Sequence, residues 1–297
     1  MNKPLLLMTA AIAVASVATA QIERLDEGRR NIELAKIPEL TKTLKSAPLK
    51  AHLGRRNRGD AGVIAARVAS DFAATNAPDT GSAPFVHYVV PAMSDNQRLP
   101  DCYPFDGNAG TPVRITAARG EFEPGSFLVY PLTDLGKVAF SCAQFRNERG
   151  NEFPANKLDL KVVKVWYQNK NGWYSYFGDT GFKLIPELLL NDEDLIRVDT
   201  AKEANYARIT KDGKVSEQWL NPPRQMDERN YGWMARSAFS PMAPGFEDAK
   251  AFQPVKLDEG AFRQFFLTAH VTDDIAAGLY KGSIALKQNG KDIGSIP

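Results

Sequence analysis

The stretch from Arg114 to Pro131 reads RITAARGEFEPGSFLVYP. Apolar and polar residues alternate on both sides of a segment carrying Gly120, Pro124 and Gly125, which predicts two strands joined by a turn. Working outward, the same kind of run recurs at Phe85 to Val90, Val113 to Ala117, Ser126 to Tyr130, Val138 to Phe140, Leu158 to Tyr167 and Gly172 to Phe177. It continues at Leu195 to Val198, Ala204 to Ile209, Arg263 to Val271 and Leu279 to Gln288. These short runs are separated by Gly, Pro and Asn clusters and leave no room for the helices of a parallel α/β sheet. The predicted fold class is therefore all-β, an antiparallel β-sandwich.

Two hairpins stand out. Lys161 to Tyr167 and Trp173 to Phe177 flank Gln168-Asn169-Lys170-Asn171-Gly172, and Lys281 to Lys287 runs into Asn289-Gly290, a strong two-residue hairpin signal. The return strand of the second hairpin, Asp292 to Pro297, ends without a cap or polar tail, so the chain is expected to be the front part of a longer protein.

The front of the chain reads differently. Residues 1–20 have the form of a signal peptide: Lys3 gives a positive start, Leu5 to Val17 an apolar run too short to span a bilayer, and Ala18-Thr19-Ala20 a cleavage site. The mature protein is expected to begin at Gln21, outside the cytoplasm and without a membrane anchor. Between Gln21 and Ser70, eleven Lys and Arg stand against six Asp and Glu, a local +5 within an overall +2. That segment shows helical spacing, interrupted at Pro38 and Pro48, and the expected division is a basic, partly helical lead and linker over 21–84, then the sandwich over 85–297. Arg55-Arg56-Asn57-Arg58 has no interleaved aromatics, so it reads as a solvated linker rather than a nucleic-acid contact.

Residue chemistry gives no catalytic machine. The two cysteines, Cys102 and Cys142, allow either a disulfide, closing a loop worth roughly 4 kcal/mol, or two buried free thiols. Neither lies near a His that would activate it. His52, His87 and His270 fall in different predicted elements, which argues against a shared metal. Glu121 and Glu123 stand two apart on a strand, where capping of a turn is favoured over acid–base work. Asn191-Asp192-Glu193-Asp194, with Asp199, offers oxygens for calcium but matches no calcium loop, and reads as a polar turn. No phosphate loop or nucleophile elbow occurs, so no catalytic residue, metal or cofactor is expected.

Aromatic residues are the remaining candidates. Trp166, Trp173, Tyr174 and Tyr176 come from the first predicted hairpin, where one face must be core and the other could stack on sugar rings or form a seam against another domain. Trp219 and Trp233 lie in what reads as a long irregular stretch, Asp212 to Gly245, the kind of loop that is functional or packed on a neighbour.

The order EFEPGSFLVYPLTDLGKV (121–138), LDLKVVKVWYQ (158–168), GWYSYF (172–177), LIPELLLNDEDLIRVD (184–199) and FRQFFLTAHVTDDIAAGLYKGSIALKQNGKDIGSIP (262–297) resembles the N-terminal β-sandwich region of large exported bacterial proteins related to glycoside hydrolase family 123. The resemblance covers roughly Pro100 to Pro297, and nothing before Phe85 takes part. It implies a sandwich that precedes a (β/α)8 barrel whose acidic residues act on an N-acetylhexosamine, with the substrate's own acetamido group assisting. That barrel lies outside this chain, so the resemblance transfers no catalytic residue. The expected function is a non-catalytic support for the downstream barrel in a secreted or periplasmic, cell-surface protein. The alternatives are a carbohydrate-binding module using the Trp166/Trp173 face and a structural surface protein.

Overall fold

The computed structural model describes residues 27–74, 82–142, 145–169, 181–220 and 246–297. Four helices come first: α1 (Glu27–Ala35), α2 (Ile37–Thr43), α3 (Ala47–Arg55) and α4 (Gly59–Ala74). The strands follow as β1 (Phe85–Val90), β2 (Asn108–Ala109), β3 (Phe122–Pro131), β4 (Gly136–Cys142), β5 (Phe145–Arg146), β6 (Glu152–Phe153), β7 (Leu158–Asn169) and β8 (Phe182–Leu190). The remainder are β9 (Ile196–Asp199), β10 (Ala204–Lys211), β11 (Lys214–Trp219), β12 (Val255–Leu257), β13 (Arg263–His270), β14 (Ile284–Gln288) and β15 (Lys291–Ile296). Every described strand pair is antiparallel.

A six-stranded sheet, β2-β1-β3-β13-β7-β8, faces a four-stranded sheet, β12-β4-β14-β15. Between them lies the larger core, with Phe127, Val162 and Leu267 from one sheet meeting Val138, Leu257 and Leu286 from the other. Phe127 and Phe265 are directly opposite across β3 and β13, their rings stacked at 5.2 Å. Such cross-strand aromatic pairs fix register as well as fill volume. A three-stranded sheet, β11-β10-β9, contributes Ala207 and Ile209 to the same core.

The other face of the six-stranded sheet is also buried. Val86, Tyr88 and Val90 of β1 and Leu128 and Tyr130 of β3 pack under Leu49 and Leu53 of α3 and Ala65, Val68 and Ala69 of α4. Alternate residues of β1 and β3 thus enter two different cores, and the unbroken buried run from Gly125 to Pro131 follows from that. The lead segment forms a third layer. Pro38 and Pro48 stand in the first turns of α2 and α3, where a missing N–H costs nothing, so they open helices as well as end the preceding runs. Ser46 caps α3 by accepting from the Leu49 N–H at 3.3 Å.

Several sequence expectations shift. The turn after Arg114 spans Ala118 to Glu121, with Gly120 at φ 83°, so Pro124 and Gly125 lie within β3. Gly125 is required there because Val113 and Ile115 cross above it: a Cβ would sit 2.8 Å from Val113 Cγ1. That crossing segment is extended but joins no ladder, since its backbone is held by Val113 N–H donating to the Pro297 carbonyl at 2.8 Å. Leu279 to Gly282 is likewise outside β14, bonded through Lys281 to Arg146. The described partner of β7 along this edge is β8, with Asn169 opposite Phe182. Trp173 to Phe177, read as the return strand, lies outside the described residues, as does the signal peptide.

The stretch from Asp212, irregular by its sequence, begins with a hairpin. Asp212 (φ 50°) and Gly213 (φ 72°) form the two-residue turn joining β10 to β11. The Asn289-Gly290 hairpin is present as expected, both residues at positive φ.

Candidate functional site

The acidic segment after β8 is fully engaged. Asp192 pairs with Arg208 at 2.5 Å, Asp194 with Lys137 at 2.8 Å, and the buried carboxylate of Glu193 with Arg263 while also accepting the Lys256 N–H. The Arg208 contact, with the Asp194 N–H, holds Asp192 below the usual carboxylate range although burial opposes it. Lys164 donates to the Glu193 carbonyl at 2.9 Å, and burial lowers its ammonium despite nearby Glu193. Each carboxylate in this turn is committed to a cation, the arrangement of a structural turn. Asp199 accepts the Lys202 N–H and faces Arg197. Among the described residues no group of three or more metal-ligating side chains converges. Glu121 caps its turn by accepting the Ala118 N–H at 2.7 Å.

The helical layer is clasped to the sandwich by residues read as linker. Arg55 donates to the Leu132 carbonyl at 2.6 Å and to Glu259 at 3.0 Å, and Arg56 donates to the Glu259 carbonyl at 2.6 Å. Between them, fully buried His52 places Nδ1 against the Glu259 carboxylate and the Leu132 carbonyl, both acceptors, and Nε2 at 3.0 Å from the Tyr130 hydroxyl. The proton therefore sits on Nδ1, and Tyr130 donates to Nε2. Spaced sequence positions gave no sign of this cluster.

The predicted aromatic contacts separate. Trp166 is partly buried against the larger core. Its neighbour Tyr167 is buried, its backbone bonded on both sides by the Asn205 amide at 3.0 and 2.7 Å. Trp173, Tyr174, Tyr176 and Trp233 lie outside the described residues. Trp219 is 42% exposed at the end of β11. It stacks on Tyr206 directly across the ladder at 6.2 Å, and the Arg197 guanidinium covers the Tyr206 ring at 4.2 Å while gripping Glu217 through two 2.6 Å bonds. The Asp-Gly turn was the sequence signal for this row. Cys102 and Cys142 are free thiols, Cys102 near Asp101 in a loop and Cys142 against the larger core, so the bridge that the sequence allowed is not formed.

A cavity of about 500 Å³ opens at the end of the sandwich where β13 ends and β7 begins. It is lined by Leu158, Leu267 and Ala269, by Val113 and Ile115, and by Ile284 and Ile296. Tyr280 closes the loop above by donating to the Ala276 carbonyl at 2.8 Å and by packing edge-on against Phe153 at 5.6 Å. Arg119 stands exposed at the rim. Its lining comes from separate segments, none with a motif, so no local pattern announces it.

No protein-family model matches the chain, and no curated protein matches it. Among solved structures, a family 123 glycoside hydrolase from Clostridium perfringens, described for glycolipid glycan hydrolysis, aligns at 11% identity and a TM-score of 0.31. The alignment covers 60% of this chain and 20% of that one, so the chain spans about a fifth of that structure's length. At that score the likeness is too loose to assign fold or function.

Proposed function

We propose that this chain is the N-terminal β-sandwich module of a secreted, glycoside hydrolase-like protein, and that it supports a downstream carbohydrate-active (β/α)8 domain without taking part in the chemistry. The sequence motifs supply the family reading. The observation that carries the supporting role is the fate of the acidic turn after β8: Asp192, Glu193 and Asp194 are each paired with Arg or Lys, tying β4, β8, β10 and β13 together. A general acid or base needs a carboxylate that can reach a substrate proton, and these are spent on the scaffold. Any polypeptide continuing past Pro297 would leave beside the cavity and the exposed Leu279. The coding region beyond Pro297 tests the reading. A barrel with neighbouring acidic residues supports it; an immediate stop codon or a string of further sandwiches overturns it.

A second reading, a carbohydrate-binding module, is favoured by the row Arg197, Tyr206 and Trp219, which sets an exposed indole beside hydrogen-bonding charges. Sugar-dependent quenching of tryptophan fluorescence that disappears in Trp219→Ala would establish it over the supporting role.

A further inference from the structure

We propose that the cavity at the end of the sandwich binds the hydrocarbon tail of a single-chain anionic amphiphile of the fatty-acid type, with Arg119 at the rim receiving the head group. The inference goes beyond the supporting role and does not depend on it.

The space of about 500 Å³ is a concave site open to solvent at the end of the sandwich. It falls within the size range of small-molecule sites, roughly 300–1,000 Å³. Its surface is mostly apolar, set by Val113, Ile115, Leu158, Leu267, Ile275 and Ile296, with Thr116, Arg119 and Tyr280 as its polar side chains. Exchange of water against that apolar surface for a hydrocarbon chain is favourable through the hydrophobic effect. The walls are held independently of any ligand: Val113 N–H bonds the Pro297 carbonyl at 2.8 Å, and Lys281 and Arg146 exchange two backbone bonds at 2.9 and 3.0 Å. Gly282 keeps Phe145 in the wall, because a Cβ there would meet that ring at 2.6 Å. Leu279, 65% exposed, adds apolar surface to the lining.

The head group follows from charge. Of the described residues lining the cavity, Arg119 carries the only charged side chain; the carboxyl group of Pro297, which accepts the Val113 N–H, belongs to the same lining. The neighbouring Glu121 carboxylate is turned to the Ala118 N–H at 2.7 Å. A mostly apolar cavity with an arginine in its lining suits a carboxylate or phosphate carried on one aliphatic chain.

Isothermal titration of the full chain tests this, with octanoate, decanoate and laurate below their micelle concentrations and with dodecanol, dodecyl phosphate and dodecyltrimethylammonium for comparison. One saturable site is expected, its affinity rising about fourfold per added methylene until the cavity is full. Arg119→Glu, a change at an exposed position, should weaken laurate or dodecyl phosphate roughly fivefold or more and leave dodecanol within about twofold. Ala117→Phe, which fills the wall, should abolish all three. Absence of saturable laurate and dodecyl phosphate binding overturns the proposal. So does dodecyltrimethylammonium binding as tightly as laurate, or an Arg119→Glu chain with unchanged preference for the anion.

Discussion

The imidazole of His52 lies 2.9 Å from the carboxylate of Glu259, a residue 207 positions later, and so fastens the helical layer to the sandwich. The ring is completely buried, and its other nitrogen is occupied by Tyr130. Replacing His52 by Ala leaves a cavity, an unpaired Tyr130 hydroxyl and a carboxylate short of one donor. The expected loss is about 2–4 kcal/mol, read from urea unfolding.

The same ring sets a pH dependence. Burial is the largest influence on His52 and holds it below its ordinary 6.5, with Glu259 pulling the other way, and burial lowers His87 as well. A folded state that resists protonation keeps its full advantage above the unfolded value and loses it as the unfolded chain takes up protons below that value. The unfolding free energy from urea melts should therefore fall as the pH drops below about 6.5, by at most about 1.4 kcal/mol per pH unit for each histidine, and the midpoint with it. A midpoint that climbs over that interval would contradict the assignment.

Glu193→Gln removes the charge that Arg263 and Lys137 share in a turn buried at 3% exposure. Breaking one partner of a buried pair leaves the other charge uncompensated, so a loss of about 3–5 kcal/mol is expected, with little change for Glu121→Gln at the exposed turn.

The helical layer should be indispensable. A chain starting at residue 82 would expose Val86, Tyr88, Val90, Leu128 and Tyr130, all buried against the helices in the intact fold. At about 1.5–3 kcal/mol for each large apolar side chain, that exposure is comparable to the whole stability of an ordinary domain. The shortened chain is expected to aggregate, as judged by size-exclusion chromatography beside the full chain.

Both thiols are predicted to stay free but slow to react. Burial, reinforced by Asp101, pushes the Cys102 thiol up to about 11, and burial raises Cys142. Alkylation near pH 8 should be sluggish on the folded chain and complete at both positions after unfolding without reductant, as counted by mass spectrometry.

Strands were legible where local pattern determined them. Phe85 to Val90 was read at its observed limits, and Asn289-Gly290 gave its hairpin, because period and turn chemistry are local. The third layer was harder to read, although FVHYVV and SFLVYP carry its trace: a strand apolar on both faces needs cover on both. Pro124 and Gly125 carry the chemistry of a turn, and nothing local shows that Val113 and Ile115 cross above Gly125. The cavity and the His52 clasp are assembled from distant segments, and no spacing rule connects them.

Catalytic turnover tests the supporting role most directly. The purified chain, given an aryl N-acetyl-β-hexosaminide over many hours, should release aryl alcohol no faster than buffer. Release proportional to the amount of chain would contradict the scaffold reading.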